Sequence, residues 1–155
     1  MKNKIIKVLA IGPVDIFPVV DGGKEGLLGA LKSLSIYCEV SYLFPSKNFA
    51  NLNNYKKNNI SPLPIDVEIK ETLGLLVKSL IKFQSYKFEK YNTKKIQNLF
   101  LKEVKDKNFD VIICHFPHLY KLALLYKNKI KNSPIILRSH NIEHEIISTF
   151  LAKSN

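Results

Sequence analysis

The sequence predicts a single α/β domain in which helices cover both faces of a parallel sheet. Strand signals and helix signals alternate along the chain, which is the pattern of strands joined by helical crossovers. The clearest strand segments, residues 5–12 and 109–116, are almost continuously apolar, as expected of strands that are buried on both faces. The 155 residues are enough for one domain, 1–155, which can bury roughly 70% of the surface of the unfolded chain.

The first half of the chain is predicted to contain two strands, a loop and a helix. The first strand is expected at residues 5–12 and the loop at 13–21. The helix is expected at 23–35 and the second strand at 38–44. The helix is indicated by an apolar stripe at helical spacing, formed by Leu27, Leu28, Leu31 and Leu34. Pro45 is expected to end the second strand, because proline cannot donate a hydrogen bond to a sheet ladder.

The middle of the chain gives weaker signals. Residues 46–61 are rich in Asn, Lys and Ser and predict an irregular surface segment. Residues 62–67 predict a short third strand, and the prolines in it favour an edge position. Two helices are expected at about 70–90 and 93–106, of which the first is amphipathic and basic.

The second half completes the alternation. A strand at 109–116 is followed by a helix at about 117–131 and by a further buried strand at 135–139. Asn141 is a suitable N-cap for another helix, and Glu143 in its first turn suits the positive end of the helix dipole. The order of these elements predicts a Rossmann-like sheet.

The charge balance narrows the classes of partner. The net charge of +11 comes with 24 basic residues, of which only Arg138 is an arginine. Proteins that read nucleic acid specifically rely on arginine for bidentate contacts, so we do not expect a nucleic-acid partner. The lysines favour a solvated surface, and a basic face on an anionic membrane stays open as an alternative.

The chain is expected to be cytoplasmic. Its first residues resemble a signal peptide, but Lys7 interrupts the apolar run and no small-x-small cleavage site follows. No run approaches the roughly 18 apolar residues that a membrane span needs. Cys38 and Cys114 lie in apolar runs and are expected to be buried free thiols of a reducing compartment. A peripheral position at the inner face of the cell membrane is the alternative.

Ligands of open α/β sheets bind at the carboxyl ends of the strands. The loops predicted to reach that edge are 15–24, 115–118 and 138–143. In the first of them, Gly22, Gly23 and Lys24 begin a helix and predict a phosphate cradle, because glycines leave backbone N–H groups accessible. The glycine spacing fits neither a P-loop nor the dinucleotide fingerprint. A turn whose glycines serve only the backbone geometry is the alternative.

Two histidine patterns imitate metal sites. His140 and His144 fit the H-x-x-E-H pattern of zinc peptidases, but that chemistry needs both histidines on one helical face. Here His140 is expected to end a strand, and Asn141 to begin a new helix behind it. His115 and His118 are closely spaced, yet without further ligands they are read as two polar loop residues. We therefore expect no metal site.

His140 is the more interesting residue by itself. It is expected at the carboxyl end of a strand, beside Arg138 and Asn141, where an imidazole can exchange a hydrogen bond with a sugar hydroxyl. A histidine that serves only the local fold is the alternative.

Four segments together resemble the N-terminal domain of GT-B fold glycosyltransferases, particularly the retaining family 4 group. They are residues 8–13, 18–23, 109–115 and 138–145. The last segment, Arg-Ser-His-Asn-Ile-Glu-His-Glu, is similar to the R-x-H-N-x-E stretch of that family. The sequence departs from many relatives at Gly26, in the region where they have an arginine after the paired glycines.

The resemblance implies a role for each candidate residue. Gly22 and Gly23, with Lys24 beside them, would bind the donor diphosphate, and His140 would be the catalytic residue near the transferred sugar. Acceptor contacts would come from His115, Arg138, Asn141 and Glu143. The substrates would be a nucleotide-sugar and a saccharide or lipid-linked acceptor, with no essential metal and no covalently bound cofactor.

Enzymes of this kind have a second, C-terminal domain that supplies most of the nucleotide contacts. Those contacts are missing from the 155 residues, so the chain is expected to fold alone but not to transfer sugar. Two alternatives stay open. One is a half domain similar to sugar-nucleotide 2-epimerases, and the other is a non-catalytic module whose basic helix at 70–90 docks on anionic lipid.

Overall fold

The computed structural model describes residues 4–69, 72–81 and 85–139. Its strands are β1 (Lys7–Ile11), β2 (Glu39–Ser46), β3 (Ile60–Asp66), β4 (Val111–Cys114) and β5 (Ile135–Leu137). Its helices are α1 (Gly22–Ser35), α2 (Leu52–Lys56), α3 (Leu73–Ile81), α4 (Tyr86–Tyr91), α5 (Lys94–Val104) and α6 (Tyr120–Lys129), with a short 3₁₀ turn at Pro117–Leu119.

The strands form one parallel sheet in the order β3-β2-β1-β4-β5. β1 lies at the centre, and the chain builds outward from it first through β2 and β3, then on the other side through β4 and β5. This arrangement confirms the predicted α/β fold with a Rossmann-like parallel sheet.

Each face of the sheet has its own hydrophobic core, as the apolar strands predict. On one face, α1 and α2 pack through Leu27, Leu31 and Tyr55 against side chains of β1 and β2. On the other face, α5 and α6 pack through Ile96, Phe100, Leu122 and Tyr126 against Leu9, Ile11 and Ile112. Helices therefore cover both faces, also as predicted.

The prediction that Pro45 ends β2 is wrong. The strand continues to Ser46, and Pro45 is paired with Ile65 of β3. The backbone of Leu43 faces β1, since its carbonyl accepts from Gly12 N–H at 2.9 Å. The backbone of Pro45, two residues later, faces the same side, but β1 has already ended there. Among the described residues, no partner strand lies at that point to accept a hydrogen bond, so the missing N–H of proline costs nothing.

The edge position predicted for the third strand is confirmed. β3 lies at the end of the strand order and begins at Ile60, two residues earlier than expected. The backbones of Pro62 and Pro64 face the same side of β3. Proline has no N–H to donate, so that side must be the outer one, where an edge strand has no neighbour.

Residues 46–61 are not an irregular surface segment as expected. They include α2, whose Tyr55 is fully buried and whose Leu52 packs against the same core. Leu52 and Tyr55 are surrounded by Asn and Lys residues, so the composition of the segment did not indicate a helix with a buried side.

The helix expected at 70–90 is divided into α3 and α4. Ser85 has extended ψ before α4, which ends any continuous helix there. The second helix, α5, is confirmed in place, and the Thr93 hydroxyl caps it by accepting from Ile96 N–H at 3.3 Å.

The last strands are shorter than predicted, and β5 is not buried. Ile136 and Leu137 are each about half exposed, because β5 is an edge strand of only three residues. Within the described ranges, no helix is long and apolar enough to cross a membrane. The predicted helix at Asn141 lies outside the described residues.

Asp110 fastens the amino-terminal edge of the sheet. Its carboxylate accepts hydrogen bonds from the Lys7 N–H at 3.1 Å and from the ammonium groups of Lys4 and Lys131 at 3.0 Å. The Lys7 N–H, followed by the two lysines, holds the pKa of Asp110 well below its ordinary value.

We expect Asp110→Asn to lower the thermal unfolding midpoint at pH 7. A depressed pKa in the folded state means that the carboxylate stabilises the fold above its ordinary pKa, near 4, and that this contribution disappears as the pH falls further. The midpoints of wild type and variant should therefore converge in acid. Asp106→Asn is the control, because the Asp106 side chain is 86% exposed and forms a long ion pair of 3.9 Å with Lys105. A difference that stays constant down to pH 3 would contradict this role.

Candidate functional site

Three loops leave the carboxyl edge of the sheet from neighbouring strands. Gly12 follows β1, His115 follows β4 and Arg138 follows β5. Each is held one residue beyond its strand by a ladder bond: Gly12 N–H to Leu43 carbonyl at 2.9 Å, His115 N–H to Ile11 carbonyl at 3.1 Å, and Arg138 N–H to Cys114 carbonyl at 2.8 Å. The strand order reverses between β1 and β4, and such a switch point opens a crevice that serves as a binding site in α/β sheets.

The loop from β1 to α1 is fixed by two buried tyrosines. The Tyr42 hydroxyl donates to the Val14 carbonyl at 2.8 Å, and the Tyr55 hydroxyl donates to the Asp15 carboxylate at 2.6 Å. The Tyr55 oxygen also accepts from Ile16 N–H at 2.8 Å. The loop shape is thus set by side chains of β2 and α2, which sequence reasoning did not assign to the site.

These tyrosines act as neutral hydrogen-bonding groups. Tyr42, Phe44 and Tyr55 stack with ring centroids 5.0–5.9 Å apart, and all three are fully buried. Burial raises the pKa of both tyrosines well above the ordinary value, and the hydrogen bond to Asp15 raises that of Tyr55 further. Both hydroxyls therefore keep their protons and stay available as donors.

Gly12 makes room for this arrangement. A Cβ atom at that position would overlap the hydroxyl and ring of Tyr42. Glycine is therefore required where β1 passes into the loop, because the tyrosine that anchors the loop lies directly against the backbone.

The predicted phosphate cradle lies at the start of α1. Asp21 caps this helix by accepting from Lys24 N–H at 2.8 Å, and the Lys24 ammonium donates to the Pro18 carbonyl at 3.2 Å. Gly22 and Gly23 form the exposed first turn. N–H groups of a first turn lack partners within the helix, so those of Gly22 and Gly23 face the surface.

The fold itself does not require glycine at position 22. Neither Gly22 nor Gly23 has a positive φ, and a Cβ on Gly22 would meet nothing within 4 Å. The alternative of a turn whose glycines serve only backbone geometry therefore has no support at Gly22. What its missing side chain does provide is open access to the helix N-terminus.

Two carboxylates oppose an anion at this helix end. Asp21 is the cap, and Glu25 is exposed in the first turn. Both already use the positive end of the helix dipole, so the described residues alone form a weak phosphate site.

On the other side of β1, His115 and Arg138 are brought together. Arg138 Nη1 lies 3.3 Å from His115 Nδ1. A guanidinium can only donate, so the histidine nitrogen that faces it must accept, and the imidazole is neutral. His115 is fully buried and Arg138 half-buried, so the pair is a fixed feature of the edge that joins two of the predicted acceptor residues.

His115 and His118 lie in the loop after β4, as predicted, but both side chains are buried. The contacts of His118 give it a structural role. The His118 ring stacks with the ring of Tyr91, at 4.8 Å, and with the ring of Phe116, at 5.4 Å, and the His118 carbonyl accepts from Asn92 Nδ2 at 2.9 Å. His118 therefore joins the β4–α6 loop to the end of α4. No group of three or more metal-binding side chains occurs among residues 4–69, 72–81 and 85–139.

His140, Asn141 and Glu143 lie outside the described residues, as does the H-x-x-E-H pattern that ends at His144. Of the predicted site, the structure thus places Gly22, Gly23, Lys24, His115 and Arg138, all on the carboxyl edge.

The cysteines are free, as expected, but they differ in burial. Cys38 is half-buried, and Cys114 is buried at the end of β4. Burial raises the pKa of the Cys114 thiol to about 12, so it stays protonated and unreactive near neutral pH.

Replacement of Tyr55 by Phe tests the anchoring of the loop. The ring still packs, but Ile16 N–H loses its acceptor in the core, which costs about 1–3 kcal/mol of the free energy of unfolding. Urea denaturation measures this loss. Tyr37→Phe is the control, because Tyr37 is 81% exposed. Equal stability of the two variants would show that the Tyr55 hydroxyl does not hold the loop.

Comparison with known proteins supports the fold alone. No protein-family model matches the chain, and no curated protein matches it. Among solved structures, the chain is similar to the C-terminal domain (residues 78–226) of a hydrogenase from Pyrococcus furiosus, with a TM-score of 0.53 and 12% sequence identity. The similarity covers 86% of this chain and 91% of that domain. At this identity the likeness concerns the α/β architecture and leaves the chemistry of the edge to be argued from its own residues.

Proposed function

We propose that this chain is the N-terminal, acceptor-side domain of a GT-B type glycosyltransferase. The reaction is transfer of a sugar from a nucleotide-sugar to a saccharide or lipid-linked acceptor, without an essential metal or a covalently bound cofactor. The enzyme would be cytoplasmic, would retain the configuration of the transferred sugar as family 4 enzymes do, and would not bind nucleic acid.

The observation that carries the proposal is the set of residues at the carboxyl edge around the switch point, where α/β sheets open a binding crevice. One side has the open first turn of α1, where Gly22 leaves backbone N–H groups accessible although the fold does not need a glycine there. The other side has the neutral His115 and the charged Arg138, held 3.3 Å apart. Backbone N–H groups and a guanidinium suit the phosphate and hydroxyl oxygens of a nucleotide-sugar and a glycan.

The roles follow from these chemistries together with the sequence resemblance. Gly22, Gly23 and Lys24 bind the donor diphosphate, while Arg138 contacts the acceptor. The acceptor contact predicted for His115 is replaced by a supporting role, because this side chain is fully buried and holds the Arg138 guanidinium through Nδ1. His140 acts near the transferred sugar, and Asn141 and Glu143 add acceptor contacts. These last three roles rest on the R-x-H-N-x-E stretch alone.

The proposal requires a second domain across the crevice. The carboxylates of Asp21 and Glu25 stand beside the glycine turn, so a diphosphate held only by α1 meets like charge. Positively charged or polar side chains of an opposing domain would offset that repulsion. Closure of the two domains would also hold the donor and the acceptor in the geometry that the reaction needs.

Substitution of Gly22 by Ala should separate binding from stability. The methyl group enters the open space in front of the helix and hinders a phosphate, while the lost glycine flexibility raises the free energy of unfolding by about 0.4–1 kcal/mol. We expect affinity for pyrophosphate and for nucleotide-sugars to fall about two- to fivefold, the range expected of a helix N-terminus. Titrations followed by ¹⁵N NMR at the amides of Gly22 and Gly23 measure this affinity.

Gly29→Ala is the matched control for that variant. Gly29 lies in the same helix, and a Cβ there also meets nothing within 4 Å, but it is two turns away from the N-terminus. It should gain similar stability and keep wild-type affinity. Equal affinities of the two variants, or no response of the Gly22 and Gly23 amides to any of the ligands, would refute the phosphate site.

Charge at the cap gives an independent test. Asp21→Asn keeps a good N-cap but removes the negative charge, so pyrophosphate should bind more tightly to this variant than to wild type. Unchanged or weaker binding by Asp21→Asn, with helix content preserved in circular dichroism, would mean that the ligand does not approach this helix end.

The 155 residues alone are expected to bind these ligands without turning them over. Release of nucleotide from a panel of nucleotide-sugars, with and without saccharide acceptors, measures turnover. Steady product formation by the isolated chain would contradict the need for a second domain.

A further inference from the structure

Helix α3 exposes the side chains that a helix normally buries. Five large apolar residues of this nine-residue helix lie largely at the surface: Leu73, Leu76, Val77, Leu80 and Ile81, with exposed fractions from 43% to 78%. Ser79 is instead buried, at 4% exposure, and its hydroxyl is satisfied by the Leu76 carbonyl at 2.7 Å. We call these five residues the α3 apolar face. Clustered exposure of this kind marks a contact surface, whereas single exposed leucines need no explanation.

The α3 apolar face is held in a defined position. α3 packs on α4, and the Thr72 N–H that precedes it donates to the Tyr86 hydroxyl at 3.1 Å. Leu75 and Ser79, one turn apart, lie on the more buried side of the helix. The apolar face is therefore the outer side of a helix supported from behind.

The charge around this face is strongly positive. Among the residues that the structure describes between 72 and 104, the lysines 87, 90, 94, 95 and 102 outnumber the acidic residues Glu89 and Glu103. Glu89 is buried, whereas Lys87, Lys94 and Lys95 are exposed. Thr72 and Leu75 line one pocket with Lys47, Lys90 and Lys95 and a single acidic residue, Glu68, so lysines lie beside α3 in a chain whose net charge is +11.

We propose that the α3 apolar face docks on an anionic membrane surface. A helix with leucine, isoleucine and valine on one side and lysines around it inserts its apolar residues among acyl chains while the lysines meet lipid phosphates. A protein partner fits less well, because protein interfaces favour arginine and aromatic residues and are depleted of lysine. The α3 apolar face contains no aromatic residue.

The proposal goes beyond sugar transfer and does not depend on it. Co-sedimentation with vesicles tests it directly, using phosphatidylcholine alone and phosphatidylcholine with about 30 mol% phosphatidylglycerol as the anionic lipid. We expect the chain to bind the anionic vesicles and to bind the neutral ones at least tenfold more weakly. Raising the salt from about 0.01 M to about 0.15 M shortens the screening length from about 30 Å to about 8 Å and should weaken binding further.

Leu80→Asn separates docking by α3 from general attraction of a basic protein. Leu80 is 67% exposed, so its replacement should leave the fold intact, which circular dichroism checks. We expect at least a tenfold loss of binding to anionic vesicles. Ile36→Asn is the matched control: Ile36 is 73% exposed but lies at the end of α1, away from α3, and this variant should bind like wild type.

Three results would overturn the proposal. The first is no sedimentation with anionic vesicles even at low salt. The second is equal binding by the Leu80→Asn and Ile36→Asn variants, which would assign the attraction to net charge alone. The third is a wild-type dimer in analytical ultracentrifugation that Leu80→Asn dissociates, which would assign the α3 apolar face to a second copy of the chain.

Discussion

The parallel ladder around β1 is the constraint on which the rest of the structure depends. β1 pairs with β2 on one side and with β4 on the other, and its last carbonyl accepts from His115 N–H. The same ladder continues through Cys114 to Arg138. Because the five described strands run in one direction, the loops that bear Gly22, His115 and Arg138 emerge at one edge. Without this pairing, the first turn of α1 and the His115–Arg138 pair would have no fixed relation.

The sequence was sufficient to predict the architecture, because the relevant signals are local and repeated. Apolar runs predicted β1 and β4, and the leucine stripe predicted α1. The errors arose where tertiary context decides. Pro45 continues β2 only because β1 is shorter, and β5 is exposed only because it is the outermost strand. Neither fact can be seen before the order of the strands is known.

The candidate site was predictable in its position but not in its supports. Position followed from the rule that ligands bind at the carboxyl ends of parallel strands, which directed attention to Gly22, His115 and Arg138. The anchors Tyr42 and Tyr55 were missed, since a tyrosine in an apolar segment gives no sign of the atom its hydroxyl will reach. A buried tyrosine needs a hydrogen-bond partner, and the polar loop nearest in the fold supplies it here.

The stack of Tyr91, His118 and Phe116 has a mechanical consequence. It fastens the end of α4, on which α3 rests, to the short stretch that begins with His115, and the Asn92 amide adds a bond to the same stretch. A membrane or partner that binds α3 would therefore lie at a fixed distance from the crevice. Adsorption through that helix would thus fix the orientation of the domain relative to the adsorbing layer.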